Sequence, residues 1–308
     1  MRITPNMLMN RMLGDVSSTY NRLSKYQTQL SSGKRYERPS DNPISVKQGL
    51  NVRSTMASID QYVSNIDSAL SWNKTAETAY TSATDLLQRA KELAVKGANG
   101  NYPASDMIII GKEVDQILAD MVSLGNAQYD GRYIFAGTQT TTKPFTYVPE
   151  VAGPPIVPAS VTYNGNSGTM SYEIEKGVTI PVNIPGNIAF KGSADPANDS
   201  AYKVLIDLRD HLNLGDHAAV SNDTSQIDLA MNNMSDAVTS IGASVNRLEL
   251  VRDRQDQEQL NLKSMLSDLE DVDFADIVTR IKNEETAYQA ALTAGSMSIQ
   301  TSLMDFLK

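Results

Sequence analysis

Residues 1–30, MRITPNMLMNRMLGDVSSTYNRLSKYQTQL, and residues 273–308, DFADIVTRIKNEETAYQAALTAGSMSIQTSLMDFLK, stand at opposite ends of the chain and carry one pattern. In the first, Met9, Val16, Leu23 and Leu30 recur every seven residues, with Leu13, Tyr20 and Tyr26 near the second heptad position. In the last, Val278, Leu292, Ile299 and Phe306 keep the same interval, Glu285 is the polar exception, and Ile281 and Tyr288 fall in the same seam. A seven-residue apolar repeat specifies a helix that wraps around another helix. The two ends are therefore expected to pair with each other, or with copies from neighbouring subunits. Glu284 reads as facing solvent and Glu285 as pairing across a subunit seam.

Working inward, Ser31-Ser32-Gly33-Lys34-Arg35-Tyr36 stops the first helix, and Ser40-Asp41-Asn42-Pro43 offers caps for the next. Val52, Ile59, Ile66, Asn73, Tyr80, Leu87 and Ala94 then fall seven apart. More than six heptads without a proline predict a helix of roughly 70 Å. Gly97–Pro103 ends it, and Ala104–Gln128 reads as an antiparallel third helix. From Tyr129 to Ser200 the chain turns to Gly, Pro, Thr and Tyr with short alternating runs, a small β region in which Asn164-Gly165 signals a hairpin turn and Pro149, Pro154, Pro155 and Pro158 form a loop. Ala201–Leu214 reads as a short helix. Ile227, Met234, Ile241, Leu248, Gln255, Leu262 and Leu269 mark a second long one, with a polar layer at Arg252, Gln255 and Gln259 that is either buried or exposed. An acidic break at 268–273 precedes the terminal helix.

The fold expected is mainly α, an elongated nested helical coiled-coil bundle with a small inserted β domain. Its parts are a terminal helical domain (1–43 plus 273–308), a long-helix bundle (44–130 plus 220–272) and a β-rich insertion with a short helix (131–219).

Composition narrows the function. The 308 residues are 41% apolar and 20% charged, only 6% aromatic, and include thirteen Met, as narrow helical seams require. The absence of cysteine excludes disulfides and thiolate chemistry. A net charge of −9 argues against nucleic acid as a partner. No run of eighteen apolar residues exists, so no stable membrane insertion is expected. Nor does the N-terminus have the apolar core of a cleaved signal peptide. Residues 1–43 hold seven basic against three acidic side chains, and 273–308 three against five, which favours pairing of the ends.

No catalytic constellation appears, and no cofactor or metal is expected. His211 and His217 are six apart, off a common helix face, and read as solvated helix-end residues. Lys34 after Gly33 lacks the spacing of a phosphate-binding loop. Glu284-Glu285 lacks the Glu-x-x-His of a di-iron helix. Trp72 reads as a packed core residue.

The residues resemble bacterial flagellin and its axial relatives. Leu30-Ser31-Ser32-Gly33-Lys34-Arg35 followed by Pro39-Ser40-Asp41-Asn42-Pro43 is similar to the family's N-terminal motif. Ile277-Val278-Thr279-Arg280, Glu284 to Leu292, and Leu303 to Leu307 resemble its C-terminal helix. Met1-Arg2-Ile3-Thr4, and Asp130-Gly131-Arg132-Tyr133-Ile134-Phe135-Ala136-Gly137-Thr138-Gln139-Thr140 with Pro144-Phe145, resemble the branch at the hook–filament junction. The resemblance implies a structural protein without enzymatic activity. It implies a ring of copies between the adjacent hook-associated junction protein and the first flagellin, and secretion to the extracellular flagellum through the flagellar type III channel with no cleaved signal. It also implies a cytoplasmic export chaperone that holds the C-terminal helix. A flagellin filament subunit and a secreted coiled-coil adhesin or effector are the alternative readings.

Overall fold

The structure, a computed structural model, describes residues 5–36, 38–148, 159–190 and 200–306. The opening Met1-Arg2-Ile3-Thr4, the prolines 149, 154, 155 and 158, and the side chains of Ile299 and Phe306 lie outside the described residues. Helices α1 (Pro5–Ser32), α2 (Pro43–Ala98), α3 (Ala104–Gly125), α4 (Gly186–Ala189), α5 (Ala201–Leu214), α6 (His217–Glu270) and α7 (Phe274–Phe306) dominate. Strands β1 (Gln128–Tyr129), β2 (Arg132–Tyr133), β3 (Phe145–Val148), β4 (Ser160–Tyr163), β5 (Ser171–Glu175) and β6 (Val178–Pro181) are short. The chain divides into two compact units, Met1–Ser58 with Gln257–Lys308, and Ile59–Asp256.

In the second unit the heptads become a core. Ile59, Ile66, Asn73, Tyr80, Leu87 and Ala94 of α2 are all buried, as are Val220, Ile227, Met234, Ile241, Leu248 and Gln255 of α6. The polar layer of α6 is therefore inside at Gln255, while the neighbouring Arg252 reaches Asp67 at 3.2 Å. Trp72 is buried, its ring edge-on to Tyr129. Helix α3 packs along α5, which is capped at its start by the Ser200 side chain and stopped at its end by Gly215 in the left-handed region.

The strands do not form one sheet. They make three separate antiparallel pairs, β1–β2, β3–β4 and β5–β6, each too small to stand alone, so each is seated on helices. Ile174, Ile180 and Val182 around the last pair share a cluster with Ile66, Ala69 and Leu70 of α2 and Leu248 of α6. The middle pair is held by Asn126 at the end of α3. Its side-chain amide donates to the carbonyls of Val122 and Phe145 at 2.8 and 2.9 Å, and its carbonyl accepts from the Phe145 N–H at 2.9 Å, in effect adding one rung to the ladder.

Asn164-Gly165 is not a hairpin turn, contrary to its composition. The strands on either side of it, β4 and β5, belong to different pairs, and the Asn164 N–H instead continues the β3–β4 ladder by donating to Pro144. A tight turn lies at Asp130-Gly131, between β1 and β2, where φ is 49° and 71°. Two successive positive φ values define the type I′ turn that matches strand twist.

Behind that turn, Ile134 and Phe135 enter the core. The rings of Tyr80, Phe135, Phe145, Phe190 and Tyr202 stand 4.8–5.9 Å apart, centroid to centroid. Gly137, at φ 70°, lies where a Cβ would meet the Asn166 carbonyl oxygen at 2.2 Å. The 130–140 motif is thus a packing motif: a turn, an aromatic anchor and a close backbone approach.

Neither histidine is simply solvated. His211 Nδ1 is 2.7 Å from an Asp223 carboxylate oxygen and His217 Nδ1 is 2.7 Å from the Gly97 carbonyl, so both pin helix ends. Among the described residues no group of His, Cys, Asp and Glu could hold a metal ion. No described helix is long and apolar enough to cross a membrane.

The aromatic cluster sets an expectation for stability. Phe135→Ala removes a ring that is 1% exposed and should cost about 3–5 kcal/mol. The Tyr80 hydroxyl is buried with no hydrogen-bond partner among the described residues, so Tyr80→Phe should leave stability unchanged or raise it. Urea unfolding midpoints of the two variants should move in these different ways.

Candidate assembly interface of the terminal helices

The first unit is built on the α1–α7 pair, which packs within one chain. Along α1, the half-buried and buried positions at seam spacing are Met12, Val16, Thr19, Leu23, Tyr26 and Leu30, with Gln29 buried beside Leu30. Along α7 they are Ile277, Ile281, Glu284, Tyr288, Ala291 and Gly295. Both sets step by four and three, the a/d spacing of a coiled coil. A Cβ on Gly295 would lie 2.4 Å from the Met12 methyl, so glycine is what lets the helices close there. Tyr20 and Tyr288 stand 6.0 Å apart, ring centroid to centroid.

The expected charge complementarity appears as a forked contact. Arg22 Nε and Nη2 donate to the two oxygens of Glu284 at 2.9 and 3.2 Å. Glu284, not Glu285, is the acidic residue of this seam, and Glu285 is exposed. Glu284 thus does not face solvent, and α7 carries two apolar stripes. Ile277, Ile281 and Tyr288 face α1, whereas Val278 and Leu292 are 44% and 48% exposed.

A second stripe is also open on α1. Val16, Leu23 and Leu30 are half-buried, but Met9 is 36% exposed and Leu13 and Tyr20 about 60%. Phe274 at the start of α7 is exposed too. None of the described apolar side chains of α1 is fully buried; its buried residues are Thr19 and Gln29. Covering such side chains stabilises by about 1.5–3 kcal/mol each. The pair thus presents apolar surface that a single chain leaves uncovered, which marks an association surface.

The motif residues between α1 and α2 shape its edge. Ser31 and Ser32 close α1 and are exposed. Gly33 follows at φ 70° and donates to the Gln29 carbonyl at 2.9 Å, a C-terminal cap that suits glycine. Asp41 accepts from the Arg38 N–H at 3.1 Å and faces Lys25 at 3.5 Å. Tyr133, Phe135 and Gly137 belong to the second unit, where Phe135 is buried in the core and Tyr133 is half-buried. Sequence reasoning missed Thr19, Glu284 and Gly295, whose small or polar side chains hide the heptad, and with them Met12, seven residues before Thr19.

Comparison with known proteins agrees with this geometry. The bacterial flagellin N-terminal helical region matches residues 3–140, and the flagellin C-terminal helical region matches residues 224–307. Together these two regions span well over half of the chain, which belongs to the bacterial flagellin family. The flagellar hook-associated protein 3 of Escherichia coli is 25% identical over 96% of both chains. The protein of that name from Salmonella typhimurium is 22% identical over 94% of this chain and 95% of its own. The crystal structure of flagellar hook associated protein-3 from Legionella pneumophila superposes with a TM-score of 0.61 at 14% identity, covering 71% of this chain and 98% of that one.

The seam register can be tested on neighbouring residues. Ile277 is 3% exposed and Val278 44%. Ile277→Asp should destabilise the α1–α7 pair, by at least the 2–5 kcal/mol or so of a large core truncation, and lower the helical circular dichroism of the chain. Val278→Asp should leave that signal unchanged.

Proposed function

We propose that this protein is a structural subunit of the bacterial flagellum, placed at the junction between hook and filament. The observation that carries the reading is the end-to-end match, 96% of both chains, to a flagellar hook-associated protein 3. The open apolar stripe on α1 and α7 is its physical counterpart. The subunit forms a ring with copies of itself, with the adjacent hook-associated protein on one side and flagellin on the other. It performs no catalysis and needs no cofactor.

In this reading the terminal helices (1–43 plus 273–308) line an inner tube, the long helices (44–130 plus 220–272) form an outer tube, and the β-rich insertion (131–219) faces outward. Met9, Val16, Leu23 and Leu30 on one side, and Ile281, Tyr288, Leu292, Ile299 and Phe306 on the other, contribute to the assembled seam. The protein leaves the cell unfolded through the flagellar type III system, and a cytoplasmic chaperone grips its C-terminal helix beforehand. A pair of helices with no large buried core of its own is marginal in isolation, so its ordering is coupled to association.

Replacing both Leu292 and Ile299 by Asp should abolish incorporation into the flagellum while the unfolding of the second unit stays unchanged; an assembling double variant would overturn the seam assignment. Purified protein should also fail to grow long filaments by itself. Growth of such filaments would make it a filament subunit.

A further inference from the structure

The two interhelical connections of the first unit, from α1 to α2 and from α6 to α7, are tied to one another. The Arg35 N–H donates to the Glu270 carbonyl at 2.6 Å and the Val272 N–H donates to the Gly33 carbonyl at 3.0 Å, and Lys34 pairs with Asp271 as an isolated antiparallel bridge. Gln29, 9% exposed on α1, donates its side-chain N–H to the Arg35 carbonyl. Two backbone hydrogen bonds between surface connections are weak alone, at about 0.5–1.5 kcal/mol net each.

What reinforces them is a carboxylate. The Glu270 side chain is 10% exposed and lies between Lys34 Nζ, at 3.3 Å, and the guanidinium of Arg53, whose Nε donates at 3.1 Å and whose Nη2 reaches the other oxygen. Burial pushes the Glu270 carboxyl up, and the Arg53 and Lys34 hydrogen bonds outweigh it and hold it below its ordinary value. The carboxylate thus belongs to α6, one cation to the loop and the other to α2. Space for it is made by Gly49 of α2, where a Cβ would meet Glu270 Oε1 at 2.8 Å and Tyr36 Oη at 3.6 Å. A side chain there would force Glu270 away from the cations.

We infer that Glu270 is a latch, closed by Lys34 and Arg53 and admitted by Gly49, that locks the two interhelical connections of the first unit together. This goes beyond the assembly role and does not rest on it, since every group involved is in one chain. The latch holds whether or not α1 and α7 are ordered beyond it.

Amide hydrogen exchange on the full-length monomer tests this through the Arg35 and Val272 N–H groups, with Leu205 and Leu208 in the core as reference. The wild type should protect both latch amides. Glu270→Gln, which keeps the shape and removes the charge, should speed their exchange at least threefold. Gly49→Ala should do the same, although alanine favours the helix itself, and in both variants core protection should stay unchanged. Unprotected latch amides in the wild type, or less than threefold acceleration in either variant, would overturn the latch. A loss of protection that spreads to the core would overturn its local character.

Discussion

Neither terminal helix can bury its apolar residues alone, and much of the molecule follows from that. A heptad stripe is narrow, two positions in seven, and a helix carrying one has no interior until a second helix lies against it. In α1 and α7 the partner lies at the other end of the same chain. For the two to meet, everything between must return the chain close to where it started, and α2 and α6, at 56 and 54 residues, are the longest elements in between. Their seams are filled in the second unit by side chains that are almost all fully buried. The terminal seam is filled by Thr19, Gln29, Glu284 and Gly295, with half-buried aliphatics between. The contrast in burial separates a body that is stable in one chain from a pair that leaves apolar area uncovered.

That contrast also decides how much was legible beforehand. In α2 and α6 one apolar stripe dominates, so a period of seven finds the buried face directly, down to Asn73 and Gln255 at seam positions. In α7 two stripes compete. Val278 and Leu292 continue in a seven-residue repeat, while the set facing α1 is interrupted by Glu284, Ala291 and Gly295, and periodicity counts apolar residues without saying which partner they meet. Asn164-Gly165 misled for a related reason. A turn dipeptide reports backbone freedom, and the ladder that Asn164 extends is set by Phe145 and Tyr163, which pair across an intervening loop.

Glu270 had no signature at all. It stands in an acidic stretch that reads as a simple break, and its cations are 236 and 217 residues away in sequence. Ion pairs across such distances leave no periodic trace, and buried charge is recognised only when its surroundings are known. The family motif around Gly33 lies beside Glu270. It marked the stretch as special without showing that the stretch closes against the end of α6.

The contact between Arg22 and Glu284 bridges 262 positions of a 308-residue chain. Contacts of such high order form late, because loop closure is costly until intervening structure has brought the ends near. The surface suited to association is therefore completed only when both ends of the chain are in place.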